Sequence, residues 1–166
     1  MSLDQLNGQT REAAASQFSL CCASHRWVEA MVAARPFASA EELRSRAEEI
    51  WWSLGEADFL EAFEAHPKIG DMASLRERFA ATEKLAAGEQ SGAAGADPAV
   101  LARLADGNAA YERRFGFIFI VCATGKSAAE MCALLEARLP NERSQELMLA
   151  GEEQLKITLL RLEKLL

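Results

Sequence analysis

The chain has 166 residues, half of them apolar, which is enough for one ordinary domain with a real core. Eighteen Lys and Arg against twenty-five Asp and Glu leave a net charge of -7. No basic run offers a groove for a phosphate backbone, so nucleic acid is not an expected partner.

The opening Met1-Ser2-Leu3-Asp4-Gln5-Leu6-Asn7 has neither a basic n-region nor an apolar h-region. Nowhere do the roughly eighteen consecutive apolar residues of a membrane span occur, and Lys164-Leu165-Leu166 is not the Ser-Lys-Leu peroxisomal address. The expectation is a soluble, cytoplasmic protein that does not enter a membrane. Cys21-Cys22, Cys122 and Cys132 lack metal-ligand spacing and read as small buried hydrophobes.

In chain order, the Ala-rich stretch from Thr10 to about Ala23 predicts a helix, and a short second one follows through Trp27, Met31 and Val32. Arg35-Pro36-Phe37 ends it. Ser39 and Glu42 form a capping box for a helix that turns Leu43, Ala47, Ile50, Trp51 and Leu54 inward, with Gly55 as its C-terminal cap. Asp58 then initiates a helix from Phe59 to Ala65. It ends at His66, because proline disfavours the α region for the residue before it. This strands an imidazole at the carboxyl end of a helix dipole, where a cation is favoured.

Met72, Leu75, Phe79 and Leu85 predict another helix, running into a Gly/Ala/Ser-rich loop from Gly88 to Pro98. Asp97-Pro98 opens the next helix as N-cap and first-position proline, with Leu101, Leu104, Ala109 and Tyr111 inward and its end at Arg113-Arg114. The run Phe115 to Ala123 has strand-like composition but no second strand to pair with. It is expected to be a buried extended segment, or a distorted helix start, whose backbone N–H groups need partners that a ligand can supply.

Thr124-Gly125-Lys126-Ser127 fails as a phosphate loop, since the glycine required five residues before Gly125 is Ile120. Ser127 and Glu130 instead predict a capping box for a helix burying Met131, Leu134, Leu135 and Leu139, which Pro140 stops. Asn141 caps a last helix whose apolar pattern, Leu147 to Leu162, is too wide for a surface stripe and suits the centre of a bundle. Gly151 within it marks a close helix crossing.

Two histidines cannot form a multi-histidine metal centre. His25 reads as structural, and His66, fixed beside Pro67 and followed by Lys68 and Gly70, reads either as a histidine that ends a helix or as a catalytic residue. Glu89-Gln90 reads from the residues alone as solvated loop side chains, or as a proton-accepting carboxylate beside an amide suited to a polar heterocycle edge. Arg161 emerges from the apolar Leu159-Leu160-Arg161-Leu162, and a buried guanidinium needs a carboxylate or an anionic ligand.

Ser24-His25-Arg26-Trp27-Val28, Arg35-Pro36-Phe37, Ala65-His66-Pro67-Lys68-Ile69-Gly70-Asp71, Gly88-Glu89-Gln90-Ser91, Arg114-Phe115-Gly116-Phe117 and Leu160-Arg161-Leu162 follow one another in an order and spacing that resemble 2-oxo-4-hydroxy-4-carboxy-5-ureidoimidazoline (OHCU) decarboxylase. The resemblance covers nearly the whole chain. It implies a single all-α domain over residues 1–166, a bundle of about eight helices that is usually a homodimer, and cofactor-free, metal-free decarboxylation of OHCU to (S)-allantoin in urate breakdown. By the same resemblance His66 is the acid/base and Glu89 its carboxylate partner. Pro67, Gln90, Arg161 and the backbone around Phe117 and Phe119 bind substrate. Two positions depart from the family pattern: Ala86 stands for a serine, which calls one substrate hydrogen bond into question, and Ile118 for a proline, which bears on loop stiffness. Without the resemblance, the residues leave open a helical protein-interaction module, or a hydrolase of a related ureido acid.

Overall fold

The computed structural model describes residues 1–67 and 97–166. Among these there are eight helices and no strand, as the all-α expectation requires. The helix expected over Met72 to Leu85, most of the loop that follows, and Lys68, Gly70, Ala86, Glu89 and Gln90 lie outside the described residues.

The helices are α1 (Leu3–Gly8), α2 (Arg11–Cys21), α3 (His25–Ala34), α4 (Ala40–Ser53), α5 (Glu56–Glu64), α6 (Pro98–Phe115), α7 (Ala128–Arg138) and α8 (Arg143–Leu165). They group into two compact units. The first comprises Met1–His66 with Gly151–Leu166, and the second Pro67–Ala150.

In the first unit, Thr10, Ser24 and Ser39 accept the N–H bonds of Ala13, Trp27 and Glu42, satisfying donors that a helix start leaves open. Sequence reasoning missed α1, which a Ser2/Gln5 capping box secures. Its closing turn is held by the proline-containing motif: Arg35 Nη1 donates to the carbonyls of Leu6 and Gln9 at 2.9 Å each, while Asn7 and the Phe37 backbone bond reciprocally at 2.8 and 2.9 Å. Phe18 meets Trp27 and Phe37 edge-on at 6.0 and 6.4 Å between centroids, forming one aromatic core.

Around α5 the boundaries differ from expectation. Gly55 does not cap α4; it precedes α5, and Asp58 is the third helical residue, its carboxylate accepting the Gly55 N–H at 3.1 Å. A glycine has no side chain to cap with, so the carboxylate one turn in does the capping. Trp51 and Phe59 stack at 4.4 Å. Gly151 crosses here as expected: its carbonyl accepts the Trp51 indole N–H at 3.0 Å, and a Cβ would sit 3.5 Å from Trp52.

The second unit packs Leu101 and Leu104 of α6 against Ala128, Met131, Cys132 and Leu135 of α7. Leu134, expected inside, points outward, because Cys132 and Ala128 complete the buried face. Asp97 caps α6 as expected, accepting from Ala99 N–H at 2.9 Å. The helix runs on to Phe115 and closes through Gly116, whose left-handed φ of 80° suits glycine.

Asn141 is not the cap of α8. The first turn closes from the Glu142 carbonyl to the Glu146 N–H, one residue later, and the Asn141 amide reaches the Glu146 carboxylate instead at 3.1 Å. The wide apolar pattern of α8 also conceals three buried polar residues, Glu146, Gln154 and Thr158.

Candidate functional site

Helix α5 delivers His66. Phe59, Ala62 and Phe63 bury one face of the helix, Ala65 caps it, and the His66 N–H donates to the Phe63 carbonyl at 3.1 Å, a tight final turn. Pro67 follows, exposed, and removes the next backbone donor. The imidazole is half-buried, and its Nε2 lies 2.6 Å from the Gln154 carbonyl oxygen Oε1.

Gln154 is buried and is itself held. Its Nε2 donates to Thr158 Oγ1 at 3.2 Å, and the Thr158 hydroxyl donates to the Gln154 backbone carbonyl at 3.0 Å. These residues stand one turn apart on α8, where i and i+4 share a face. Neither was singled out from sequence, since both sit on the otherwise apolar face of an amphipathic helix. The available signal was two hydrogen-bonding side chains four residues apart on a face otherwise fit for burial.

Cys22 adjoins Thr158 and is buried, and burial pushes its thiol up to about 11, so it stays neutral near pH 7. Cys21 is raised to about 11 for the same reason, against a small opposing effect of the Arg161 cation. All four cysteines are free and buried, as expected.

Arg161 is exposed, contrary to the expected buried guanidinium. It stands seven residues beyond Gln154 on α8, and its Nη1 reaches the Leu20 and Cys21 carbonyls at 3.4 and 3.5 Å. The reason is geometric: the end of α2 offers carbonyls at the surface, so the cation needs no buried carboxylate. His25 is exposed beside Glu29.

In the second unit, Phe117 and Phe119 belong to the extended run. Phe115 packs on Tyr111 at 4.6 Å, Gly116 turns the chain, and Phe117 stacks back on Phe115 at 6.1 Å, which explains the Arg-Phe-Gly-Phe motif. Arg143 covers the Phe117 ring at 5.7 Å and donates to the Phe115 carbonyl at 3.1 Å. Phe119 is half-buried under the Arg138 guanidinium at 4.7 Å. Both aromatic side chains are thus occupied with packing. Beyond them, Arg138 and Lys126 donate to the Ile120 and Cys122 carbonyls at 2.7 and 2.8 Å. Lys126 therefore ties down the run, and Ser127 caps α7. Among the described residues, the site positions brought together by a hydrogen bond are His66 and the unforeseen Gln154.

A family profile for OHCU decarboxylase matches residues 7–163. This chain belongs to the OHCU decarboxylase family. It is 39% identical over 153 residues to the uric acid degradation bifunctional protein TTL of Arabidopsis thaliana, covering 90% of this chain and 46% of that protein. The chain thus spans under half the length of that relative. It is 33% identical to the 2-oxo-4-hydroxy-4-carboxy-5-ureidoimidazoline decarboxylase of Amia calva, over 80% of this chain and 75% of the relative. A crystal structure of OHCU decarboxylase in the presence of (S)-allantoin superposes with a TM-score of 0.72 at 35% identity, covering 95% of this chain and 98% of that one. A structure of (S)-allantoin synthase, at 21% identity and a TM-score of 0.71, shares the fold. Among the described residues, no helix of this family member is long and apolar enough to cross a membrane.

Proposed function

We propose that this protein decarboxylates OHCU to (S)-allantoin in urate breakdown, acting without a cofactor. The observation that carries the reading is the likeness, over 95% of this chain, to the crystal structure of an OHCU decarboxylase in the presence of (S)-allantoin.

The substrate carries a hydroxyl and a carboxylate on one ring carbon, beside an unsaturated ring carbon. When the bond to the carboxylate breaks and carbon dioxide leaves, the electron pair passes into that neighbouring unsaturation. Protonation of one face of the resulting enolate-like intermediate then sets the (S) centre. His66 and Glu89 relay the protons, as the family pattern implies. Gln90 binds the ureido or imidazoline edge, and Pro67 shapes the wall beside His66. At Phe117 and Phe119 the backbone makes the contacts, a role consistent with side chains already packed on Tyr111 and under Arg138.

Arg161 pairs with the substrate carboxylate. With a net charge of -7 the protein does not draw an anion from a distance, so the attraction is local, and an exposed guanidinium suits it. The chain works as one domain over residues 1–166, as a cytoplasmic homodimer.

The test mixes the protein with freshly generated OHCU and follows circular dichroism. Faster appearance of (S)-allantoin than in buffer, with carbon dioxide released, supports the reading. Ammonia release without carbon dioxide identifies a ureido-acid hydrolase, and no change in rate refutes catalysis.

A further inference from the structure

We infer that Gln154, oriented by Thr158, is a positioning residue that fixes which nitrogen of His66 carries the resident proton. The inference rests on the reading of His66 as the acid/base, and goes beyond it by assigning the two ring nitrogens different tasks.

A glutamine amide can face an imidazole with either end. With Oε1 toward His66, the amide NH2 donates to Thr158 Oγ1, and the single Thr158 hydroxyl hydrogen remains available for the Gln154 backbone carbonyl. Reversing the amide forces that hydrogen to choose between two acceptors, so one hydrogen bond fewer is made. Gln154 and Thr158 are each only 1% exposed, and water does not readily replace the lost bond. The carbonyl end therefore faces the imidazole. A carbonyl only accepts, so Nε2 must be the donor and carries hydrogen whether the ring is neutral or protonated. Nδ1 is then the nitrogen that gains and returns the proton in the reaction. Gln154 touches the ring at 2.6 Å and acts through it.

The experiment reads the ring nitrogens of 15N-labelled protein by long-range proton–nitrogen correlation at a pH where the ring is neutral. His25→Gln in the background leaves His66 as the sole histidine. The expected pattern has a pyrrole-type Nε2 and a pyridine-type Nδ1. Thr158→Val keeps the side-chain shape but removes the acceptor that fixes the amide, so neither orientation is preferred and the pattern moves to an averaged mixture of Nε2–H and Nδ1–H. Thr158→Ser keeps the wild-type pattern. So does the double variant Gln154→Glu with Thr158→Val, because a carboxylate accepts from Nε2–H in either orientation. If Thr158→Val does not fold, Gln154→Met serves, and an averaged mixture of the two forms is expected. In turnover, Thr158→Val lowers kcat by about 2-fold or more with KM little changed, and Thr158→Ser restores it.

A wild-type Nδ1–H pattern overturns the inference, as does a pattern unchanged by folded Thr158→Val or Gln154→Met. The nitrogen pattern needs no turnover. A protein that shows the fixed Nε2–H form but makes no (S)-allantoin fails the decarboxylase reading alone, and one that decarboxylates with the opposite form fails this inference alone.

Discussion

Arg138 and Glu146 form a buried ion pair that anchors the extended segment after Gly116. The Glu146 side chain is fully buried, and that of Arg138 is 12% exposed. The Glu146 carboxylate also accepts from the Tyr111 hydroxyl at 2.6 Å and the Asn141 amide at 3.1 Å, so its lone pairs are well used. Arg138 continues to the Ile120 carbonyl at 2.7 Å. Removing one partner from such a pair leaves an uncompensated buried charge, so Glu146→Ala should cost about 3–5 kcal/mol of unfolding free energy, read from urea titration. A loss under about 1 kcal/mol would show that water reaches and solvates Arg138.

High pH should destabilise the fold through its thiols. Cys21 and Cys22 are raised from 9.0 to about 11, by burial first. These are acids held neutral in the folded state, so above pH 9 the unfolded chain releases protons that the folded chain keeps. Stability is therefore fully present below pH 9 and declines between pH 9 and about 11, by up to about 1.4 kcal/mol per pH unit for each thiol. Tyr111 adds to the decline above pH 10, since burial and the Glu146 carboxylate push its hydroxyl upward as well. Unfolding midpoints measured from pH 8 to 11 check this, and Cys22→Ala should flatten the slope.

Gly107 lies where α6 and α7 come together. A Cβ there would fall 2.5 Å from a methyl of Leu135, which is itself completely buried. Helix propensity favours alanine by about 1 kcal/mol, but overpacking a filled core costs about 1–3 kcal/mol. Since Leu135 is enclosed, the clash wins, and Gly107→Ala should lower the thermal midpoint. A rise would mean that Leu135 repacks freely.

Among the described residues, Arg161 makes long hydrogen bonds, at 3.4 and 3.5 Å, to the end of α2. Arg161→Gln should accordingly leave the melting temperature within a few degrees while raising KM by about 10-fold or more, because a charge-assisted substrate contact is lost. An unchanged KM would remove Arg161 from the substrate's partners.

What the sequence revealed, and what it concealed, divides along the range of the interactions. The helix end before His66 was legible because Pro67 acts on its immediate neighbour, and the caps Ser39, Asp97 and Ser127 because a cap acts within one turn. The Arg-Phe-Gly-Phe and Arg-Pro-Phe motifs stood out as patterns, yet their work, aromatic stacking about a left-handed glycine and closure of α1, became clear only in three dimensions. Gln154 and Arg138 escaped notice because their partners lie far away in sequence, at His66 and Ile120. Periodicity reports which face is buried but not which polar side chain finds a partner there. Glu89 and Gln90 rest on family resemblance, since they fall outside the described residues.

Turnover by His66→Asn on freshly generated OHCU, followed by circular dichroism of (S)-allantoin, tests directly whether His66 is the acid/base. Asparagine keeps a polar side chain at the end of α5 but has no nitrogen that titrates near neutrality, so far-ultraviolet spectra and melting should stay close to wild type. The kcat should fall by about 100-fold or more, the contribution expected of a positioned acid/base. A folded His66→Asn protein that forms (S)-allantoin within about 2-fold of the wild-type rate would show that His66 is not the acid/base.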